Sequence, residues 1–579
     1  MSESSAGSRP RGRLYATIAA AAAFAVSLPP ALSPGLPSLE RGIFAHATIG
    51  YYLSTARLLD RWGWWTPCWC AGFQDLLRFY PPLGPALLLA LLRVLGPYTA
   101  PGAAMALALA VLASGLSSFA WEASGRRSAL AAVVAPLTLV AVSGWVSTAA
   151  LYWEFTRILG DGLAFHSLAR LRRALSTGER REAAAAGVLA GLAVLSSLIS
   201  ASWLAAGALV VGAWEVLGTL RRAPEPSAAL YQAGLLASYV LAAAAVSLWW
   251  LVPAVLPWGL GHYMRVHTPL NLKASILADS LSLAPPLYEP AVQALVALVG
   301  AAGLAAGWRR GGGLHAALAA ALLALSLAHG QGPRLLPVLG SLLVIGGASG
   351  FQAGGGRWAA AGLAALLVVV GVYAAYYYPT YESMLRPDYS FVGSDDYRIA
   401  QWLAGQGPVR VYAMYGPAFH GTQWLDYFDP EACQVLSGFM EGCLNETPQL
   451  IDHYVKDTLD ALGAYRLLSQ AGVEYIIVDK AWMSSKRPNT VELMEAMGLA
   501  EPLESLNREL RYTAVYRLAP QPRPGGCPAE PSVEPFYWTP ARILGVLSTA
   551  AAILMLWRRQ GKPGRAAPGD RGVYVSAPR

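Results

Sequence analysis

Long apolar runs separated by short polar segments dominate the chain of 579 residues. A bilayer crossing needs about 20 consecutive apolar residues, and the pattern predicts about 12 crossings. They fall at about 14–32, 83–121, 129–147, 150–168, 183–201, 203–220, 229–252, 289–307, 314–329, 333–349, 358–378 and 541–557. The fold class that this pattern predicts is a polytopic α-helical membrane protein.

Three longer segments interrupt the apolar pattern. Residues 33–82 are amphipathic and aromatic and predict a first outer loop with one or two interfacial helices, and residues 253–288 predict a second outer loop. In residues 379–538, strand-like runs alternate with helical stretches, which predicts a soluble α/β domain before the last span. The strand-like runs are Val409–Met414, Val473–Asp479 and Tyr512–Leu518, and the helical stretches are Asp395–Ala404, Thr447–Ala471 and Thr490–Met497.

Basic residues orient this predicted map. The cluster within residues 170–182 marks a cytoplasmic connection, because Lys and Arg are enriched on that side of a membrane. Alternation of spans then places both termini in the cytoplasm and residues 379–538 outside the plasma membrane. The expected domains are residues 1–378, which form the helical membrane part, residues 379–538, and residues 539–579, which form the last helix and a basic tail.

Composition excludes two broad classes of protein. Charged residues make up 13% of the chain and apolar ones 55%, against about 25% charged in soluble proteins. A soluble enzyme and a disordered chain are both excluded. The net charge of +8 comes from arginine clusters between spans, so we expect a bilayer rather than a nucleic acid as partner. Cys433 and Cys443 either form a short disulfide loop or are two separate thiols.

Charged groups beside spans are the informative candidates, since a charge inside a bilayer costs about 2.5–3.5 kcal/mol on insertion scales. Glu40 follows the first span, with His46 close behind. A carboxylate at the mouth of a helical bundle suits a general base. The alternative is a helix-terminal charge opposite Arg41.

A second group of candidates lies on one predicted span. Glu154 and Arg157 stand three residues apart, and Asp161 follows one turn later. A guanidinium near the outer face suits phosphate, which it binds through two parallel hydrogen bonds. The alternative is a local ion pair that makes both charges tolerable in lipid.

Two outer loops carry further candidate binding residues. Aromatic and charged side chains in the first loop could form a sugar-binding surface, or an interfacial aromatic belt. They are Trp65, Trp69, Asp75, Arg78 and Tyr80. Cations in the second loop could hold an anionic lipid headgroup, or lie on a solvated amphipathic helix. They are His262, Arg265, His267 and Lys273.

A family resemblance follows from the region around residues 40–83. A carboxylate after span one precedes a His, then Trp65-Thr-Pro67-Cys-Trp69, a Gly-Phe pair and Tyr80-Pro81-Pro82-Leu83. The chain resembles archaeal and bacterial membrane proteins with the family label "6-pyruvoyl-tetrahydropterin synthase-related", although nothing in it resembles pterin chemistry. It is also similar to the GT-C superfamily of polytopic glycosyltransferases.

The resemblance implies a GT-C-like fold and a catalytic carboxylate in the first outer loop. On this sequence that carboxylate is Glu40, and a second acidic position matches Glu154. The family's acid is usually an Asp with a second acid beside it, whereas Glu40 is followed by Arg41. The metal is unknown, and a divalent cation such as Mg²⁺ or Mn²⁺ is left open.

Three hypotheses of function come from these observations. The first is a cell-envelope glycosyltransferase that moves a sugar from a polyprenyl-phosphate donor to a glycan, lipid or protein acceptor at the outer face, by single displacement with a carboxylate base. The second is a non-catalytic scaffold or glycolipid-binding subunit of the same fold. The third is a lipid or solute transporter, which the absence of a visible inverted repeat disfavours.

Overall fold

Up to Leu385, the described part of the chain is almost entirely helical. A computed structural model gives the structure of residues 9–32, 43–62, 65–69, 72–75, 81–97, 99–124, 129–142, 145, 148, 154–222, 226–255, 290–308, 313–328, 332–354, 356–385, 393–414, 423–435, 446–519, 545 and 547. The helices of its first part are α1 (Arg9–Leu32), α2 (Ile43–Trp62), α3 (Leu83–Leu95), α4 (Ala100–Ala123), α5 (Ala129–Val134), α6 (Thr138–Ala141), α7 (Phe155–Thr177), α8 (Arg180–Val194), α9 (Leu198–Arg222), α10 (Pro226–Val255), α11 (Pro290–Gly307), α12 (Gly313–Ala328), α13 (Leu336–Gly354) and α14 (Gly356–Leu385). Two short 3₁₀ helices, Ala135–Leu137 and Gly332–Leu335, precede α6 and α13.

Several of these helices have the length and apolarity of bilayer crossings. Four in the described part of the chain qualify by length and composition: Thr99–Ala123, Leu198–Arg221, Pro226–Val252 and Leu336–Gly354. Shorter apolar helices lie at Leu14–Ala25, Leu83–Pro97, Leu295–Gly307, Gly313–Ala328 and Gly356–Val372. The mostly helical, apolar architecture that the sequence predicts is confirmed, and the number of spans stays a prediction.

The structure refines the predicted helix boundaries in two places. The run 83–121 forms two helices, α3 and α4, separated at Gly96, whose φ is +75°, and that they make one crossing stays a prediction. The basic segment 170–182 is not all connection, because α7 continues to Thr177 and the chain turns at Gly178, again with φ +75°. Its Arg, Leu and Ala residues are good helix formers, so the helix extends until a glycine ends it.

Helix α7 lies in the middle of the helical part, against α4, α8 and α9. Two of its glycines permit this close approach. A Cβ atom at Gly162 would lie 2.6 Å from the Leu112 nitrogen of α4, and one at Gly160 would lie 2.7 Å from Ser200 Oγ of α9. The side chains that α7 carries are therefore held at fixed positions between its neighbours.

A seven-stranded mixed sheet has the order β2-β1-β4-β3-β5-β7-β6. The strands are β1 (Trp65–Trp69), β2 (Gly72–Asp75), β3 (Arg410–Ala413), β4 (Cys433–Gln434), β5 (Tyr475–Asp479), β6 (Ala500–Pro502) and β7 (Thr513–Leu518). The pairs β1–β4, β4–β3 and β3–β5 are parallel, and the other three are antiparallel. All five residues of β5 are buried, as expected for a central strand.

The late segment, which comprises the described residues between 393 and 519, has the predicted α/β pattern. Its helices are α15 (Asp395–Ala404), α16 (Leu425–Phe428), α17 (Glu446–Asp457), α18 (Ala461–Gln470), α19 (Lys480–Ser485), α20 (Thr490–Ala496) and α21 (Glu504–Glu509). The three predicted strands are confirmed as β3, β5 and β7. The predicted helical stretch Thr447–Ala471 contains two helices, α17 and α18, because Asp460 accepts a hydrogen bond from Gly463 N and starts α18 as a new N-cap.

The described part of the first predicted outer loop forms helix α2, where the sequence predicts one or two interfacial helices, and an unpredicted hairpin, β1–β2. Strand β1 pairs with β4 of the late segment. That α2 lies at the membrane interface stays a prediction. Helix α2 also contacts the late segment directly, since Ser54 Oγ donates to the Gln423 carbonyl over 2.6 Å and Arg61 pairs with Glu431 at 2.6 Å. The hairpin β1–β2 thus shares one sheet with the late segment, and α2 is joined to that segment by polar contacts.

Candidate functional site

The N-terminal end of α7 carries a cluster of charged residues. Glu154 is the N-cap residue, and its carbonyl accepts hydrogen bonds from Arg157 N and Ile158 N, each over 3.1 Å. A carboxylate is favourable at this position, because the helix dipole is positive there. An arginine one turn into the helix is unfavourable for the same reason, so the cation of Arg157 needs compensation from neighbouring anions.

Arg157 receives that compensation from two carboxylates of its own helix. Its Nη1 lies 3.3 Å from Glu154 Oε2, and its Nε lies 3.6 Å from Asp161 Oδ2. Nη1 also donates to Thr148 Oγ1 over 3.3 Å. The side chain is only 5% exposed. A buried guanidinium with an anion on each side is stable in an apolar bundle, whereas an unpaired one would not be.

Asp161 is completely buried one turn further along α7. Its Oδ1 accepts hydrogen bonds from Ser200 Oγ over 2.7 Å and from Trp203 Nε1 over 2.6 Å, both on α9. These donors stabilise the carboxylate and fix its rotamer, so that Oδ2 faces Arg157. Asp161 therefore positions the Arg157 guanidinium from the buried side of the cluster, next to α9.

Arg334 completes the cluster from a distant part of the chain. It lies on the 3₁₀ helix that precedes α13, and its Nη1 is 3.2 Å from Glu154 Oε1. Its side chain is 43% exposed, compared with 15% for Glu154. Arg334 is thus the accessible cation of the cluster. Arg334 is not among the candidates that the sequence predicts, although the alternation of predicted spans places the gap before residue 333 at the same face as residue 154.

Helix α2 covers the cluster. Tyr52 and Thr156 hydrogen bond through their hydroxyl oxygens over 2.7 Å, and the Tyr52 ring packs edge-on against Phe155 at 5.0 Å. Burial raises the pKa of Tyr52 well above its usual value, with a smaller contribution from the nearby Glu154 charge. Tyr52 is a neutral phenol beside the charges, and its helix also contacts the late segment through Ser54.

The cluster has unused hydrogen-bonding capacity. Within the described residues, Arg157 Nε and Nη2 and Asp161 Oδ2 are buried without a hydrogen-bond partner. Glu154, in contrast, has a guanidinium on each carboxylate oxygen. Two arginines and two acids give the cluster a formal charge of zero. The arrangement suits an oxyanion, since both guanidiniums lie around one anion position, but Glu154 must break an ion pair before it can take up a proton.

Four of the other sequence candidates lie on α2 and the hairpin β1–β2, and the rest lie outside the described residues. His46 lies on α2, Trp65 and Trp69 on β1, and Asp75 on β2. The predicted bases Glu40 and His46 are therefore not shown to meet Glu154, and these roles stay predictions. The remaining candidates lie outside the described residues: Glu40, Arg78, Tyr80, His262, Arg265, His267 and Lys273.

A divalent cation does not fit the described cluster. The two carboxylates, Glu154 and Asp161, face guanidinium groups rather than each other. Over the described ranges, no group of three or more His, Cys, Asp or Glu side chains is placed to bind a metal ion. The chemistry of these residues is therefore that of ion pairs and hydrogen bonds.

Solved structures share this fold. ArnT from Cupriavidus metallidurans bound to undecaprenyl phosphate matches with a TM-score of 0.52 and 14% identity, over 86% of this chain and 98% of ArnT. The arabinofuranosyltransferase AftD from Mycobacteria matches with a TM-score of 0.51 and 15% identity, over 88% of this chain and 40% of AftD. A mutant of AftD gives 0.54 and 17%, over 88% and 42%. The chain thus spans about two fifths of the length of AftD.

These proteins are GT-C glycosyltransferases, so the predicted resemblance to that class is confirmed for the fold. No protein-family model and no curated protein sequence matches the chain. The identities of 14–17% limit the comparison to architecture. The narrower pterin-synthase-related label stays a prediction.

Proposed function

We propose that this protein is a membrane glycosyltransferase that uses a polyprenyl-phosphate-linked sugar as donor. The observation that carries the proposal is the cluster at the N-terminal end of α7, where Arg157 and Arg334 both lie around Glu154. The GT-C-like fold supports it, as does ArnT, a protein of this fold whose structure contains undecaprenyl phosphate. The acceptor is a glycan, a lipid or a protein at the outer face of the plasma membrane.

The cluster would bind the phosphate of the donor. Arg334 is accessible and can contact phosphate oxygens directly, since a guanidinium matches their geometry through two parallel hydrogen bonds. Arg157 adds a buried positive charge behind it. As the bond from the anomeric carbon to the phosphate oxygen breaks, negative charge grows on the leaving phosphate. Fixed cations at that point stabilise the transition state more than the ground state.

The acceptor side of the reaction needs a base. The acceptor hydroxyl loses its proton to a carboxylate while its oxygen attacks the anomeric carbon, and the polyprenyl phosphate leaves from the opposite face. One displacement of this kind inverts the anomeric configuration. We assign the base to Glu40, with His46 near it, because both oxygens of Glu154 are engaged by arginines. Glu154 then acts as a positioning residue.

The acceptor would bind between the cluster and the late segment. Helix α2 supports this placement, since Tyr52 contacts Thr156 beside the cluster while Ser54 contacts Gln423 of the late segment. Trp65, Trp69 and Asp75 lie on the hairpin that joins the same sheet. This arrangement gives the aromatic residues of the first loop a role in binding a sugar or an acceptor. The late segment would then face outward and both termini would be cytoplasmic.

The test is transfer of label from a pool of polyprenyl-phosphate sugars in membranes that contain the full chain. We expect transfer by the wild type and a loss of at least tenfold in Glu40→Gln and in Arg334→Gln. Arg170→Gln is the matched control, because Arg170 pairs with Glu182 at the other end of α7. Folding of each variant is checked by its thermal unfolding.

Two results would contradict the proposal. If the wild type transfers no label from any donor in the pool but binds polyprenyl phosphate, the scaffold or glycolipid-binding hypothesis replaces the enzyme. If the folded Arg334→Gln and Glu40→Gln variants both transfer at the wild-type rate, the reaction takes place elsewhere in the chain.

A further inference from the structure

Glu154 occupies a position between two cations that suits an anionic ligand. Its Oε1 lies 3.2 Å from Arg334 Nη1, and its Oε2 lies 3.3 Å from Arg157 Nη1. A phosphate group would offer the same guanidiniums the same kind of oxygen, with a larger negative charge. A side chain of the protein thus makes the contacts that a bound phosphate would make.

The surroundings of Glu154 allow it to leave this position. As the N-cap of α7 it has non-helical backbone angles, φ −81° and ψ 60°, and its side chain accepts no capping hydrogen bond. It is also partly exposed. Arg157 would keep a counter-charge if Glu154 moved away, because Asp161 lies on its other side and is held by Ser200 and Trp203. Among the described residues, Glu154 is therefore the exchangeable anion of the cluster.

We infer that Glu154 is an internal stand-in for the phosphate of a polyprenyl-phosphate ligand, and that the ligand displaces it from Arg334 on binding. This inference rests on the proposed function and adds a competition within the same site. The free protein keeps its two arginines neutralised, which lowers the cost of holding them in an apolar bundle. The same ion pairs weaken binding of the ligand, since they must be broken first.

The competition predicts opposite effects for the two partners of one ion pair. Glu154→Gln removes the competing charge, so we expect undecaprenyl phosphate to bind about tenfold tighter. Arg334→Gln removes the cation that both anions need, so binding weakens by about tenfold. The double variant is expected to bind more weakly than Glu154→Gln, because the contact with Arg334 is missing from it.

The experiment is equilibrium binding of undecaprenyl phosphate to the full chain in nanodiscs of a zwitterionic lipid. Undecaprenol and inorganic phosphate are the comparison probes. Binding of the lipid phosphate but not of undecaprenol assigns the effect to the phosphate group. Inorganic phosphate that binds as tightly as the lipid, with the same response to the variants, would mean that Glu154 stands in for free phosphate. The inference of a lipid ligand would then be overturned.

Two controls keep the inference falsifiable. Glu154→Asp retains the charge on a side chain too short to reach both arginines, and an intermediate tightening is expected even if Glu154→Gln folds poorly. Arg170→Gln is expected to bind like the wild type. Unchanged or weaker binding in both Glu154 variants would overturn the inference. Since binding needs no turnover, a chain that binds with this pattern but transfers no sugar would refute the proposed function alone.

Discussion

Helix α7 carries a charged cluster at each end, and the two clusters are built differently. At the C-terminal end each arginine has its own acid: Arg170 Nη1 lies 3.0 Å from Glu182 Oε2, Arg172 Nε lies 3.0 Å from Glu215 Oε1, and Arg173 pairs with Glu122. Arg172 also donates to the Glu122 carbonyl. At the N-terminal end, two arginines share one glutamate, and Arg157 lies between two acids.

The comparison distinguishes an ion-pair network that supports the fold, at the C-terminal end of α7, from a candidate functional site at its N-terminal end. Arginines near a helix C-terminus are favoured by the helix dipole, so the C-terminal cluster agrees with local electrostatics. Arg157 is placed against the dipole, and two of its nitrogens lack a hydrogen-bond partner within the described residues. Unused donors, a disfavoured cation and a shared anion at one place are typical of functional sites, where stability is given up for chemistry.

The largest difference between the two clusters is expected from removal of the central arginine of each. Arg157→Ala leaves Asp161 as a fully buried carboxylate without its cation, while Glu154 keeps Arg334. We expect a loss of stability of about 3–5 kcal/mol and a loss of sugar transfer of more than about a hundredfold per folded molecule. Thermal unfolding and label transfer measure the two effects.

The control is Arg172→Ala at the C-terminal cluster. It is expected to lower stability by about 1–3 kcal/mol, because Glu215 loses its partner, and to leave transfer per folded molecule unchanged, because this cluster lies at the opposite end of α7 from Arg157. Equal losses of transfer in the two variants would remove the distinction between site and structural network. Arg157→Lys, which keeps a charge but not the planar fork, is expected to recover stability better than transfer.

Arg334 allows a finer version of the same comparison. Arg334 and Arg170 are both partly exposed, at 43% and 29%, and each pairs with a glutamate. Exposed ion pairs contribute about 0–1 kcal/mol, so both Gln variants should keep nearly wild-type stability. We expect Arg334→Gln to raise KM for the donor about tenfold, whereas Arg170→Gln leaves KM unchanged. A KM shift of equal size in both would contradict a special role for Arg334.

Local contacts explain which parts of this picture the sequence could predict. Glu154, Arg157 and Asp161 are three and four residues apart, so helix periodicity alone places them on one face. Apolar periodicity likewise predicts most of the helices, and β-branched and aromatic runs predict β3, β5 and β7. Ser394, which caps α15 by accepting from Tyr397 N, supports the correctly predicted helix Asp395–Ala404.

Long-range packing explains what the sequence could not predict. Tyr52 and Thr156, which share a hydrogen bond, are 104 residues apart in the chain. Arg334 lies on the 3₁₀ helix before α13, far in sequence from its partner Glu154. The hairpin β1–β2 finds its partner β4 in the late segment, although its aromatic residues equally suit a membrane interface. The close packing of α7 against α4 and α9, which glycines at positions 160 and 162 permit, is a further case.

Disrupting the contact of α2 with the late segment tests whether the cluster at the N-terminal end of α7 depends on that segment. A Cβ atom at Gly50 would lie 2.6 Å from Trp424 Nε1. We expect Gly50→Ala to cost about 1–3 kcal/mol through overpacking and to lower transfer severalfold, since α2 also positions Tyr52 over Thr156. Thermal unfolding and transfer are measured together.

Gly234→Ala is the matched control for Gly50→Ala. It lies on α10, near the C-terminal end of α7, where Gln232 donates to the Leu175 carbonyl, and an added Cβ meets nothing within 4 Å. It is expected to raise stability by about 0.4–1 kcal/mol without changing transfer. If Gly50→Ala also behaves in this way, the contact between α2 and Trp424 does not influence the cluster.

A further effect, on stability alone, concerns a buried acid whose hydrogen-bond donor is a neutral group. Asp426 Oδ2 accepts from Gln434 Nε2 over 2.9 Å, and burial raises its pKa to about 8. An unfolded Asp has a pKa of about 4, so between pH of about 4 and 8 the folded chain holds a proton that unfolding releases. The free energy of unfolding should therefore fall by about 1.4 kcal/mol per pH unit over this range from Asp426 alone.

Asp426→Asn removes this dependence, because the amide resembles the protonated acid and keeps an acceptor for Gln434. We expect the unfolding temperature of the wild type to fall more between pH 6 and pH 8 than that of the variant. Asp457→Asn is the control with the opposite sign, since a hydrogen bond from Lys486 lowers the pKa of Asp457. An equal fall in the wild type and Asp426→Asn would mean that Asp426 is already ionised at pH 6. Buried carboxylates would then be tolerated here without the arginines that accompany Asp161, and the distinction drawn from the two ends of α7 would lose its electrostatic basis.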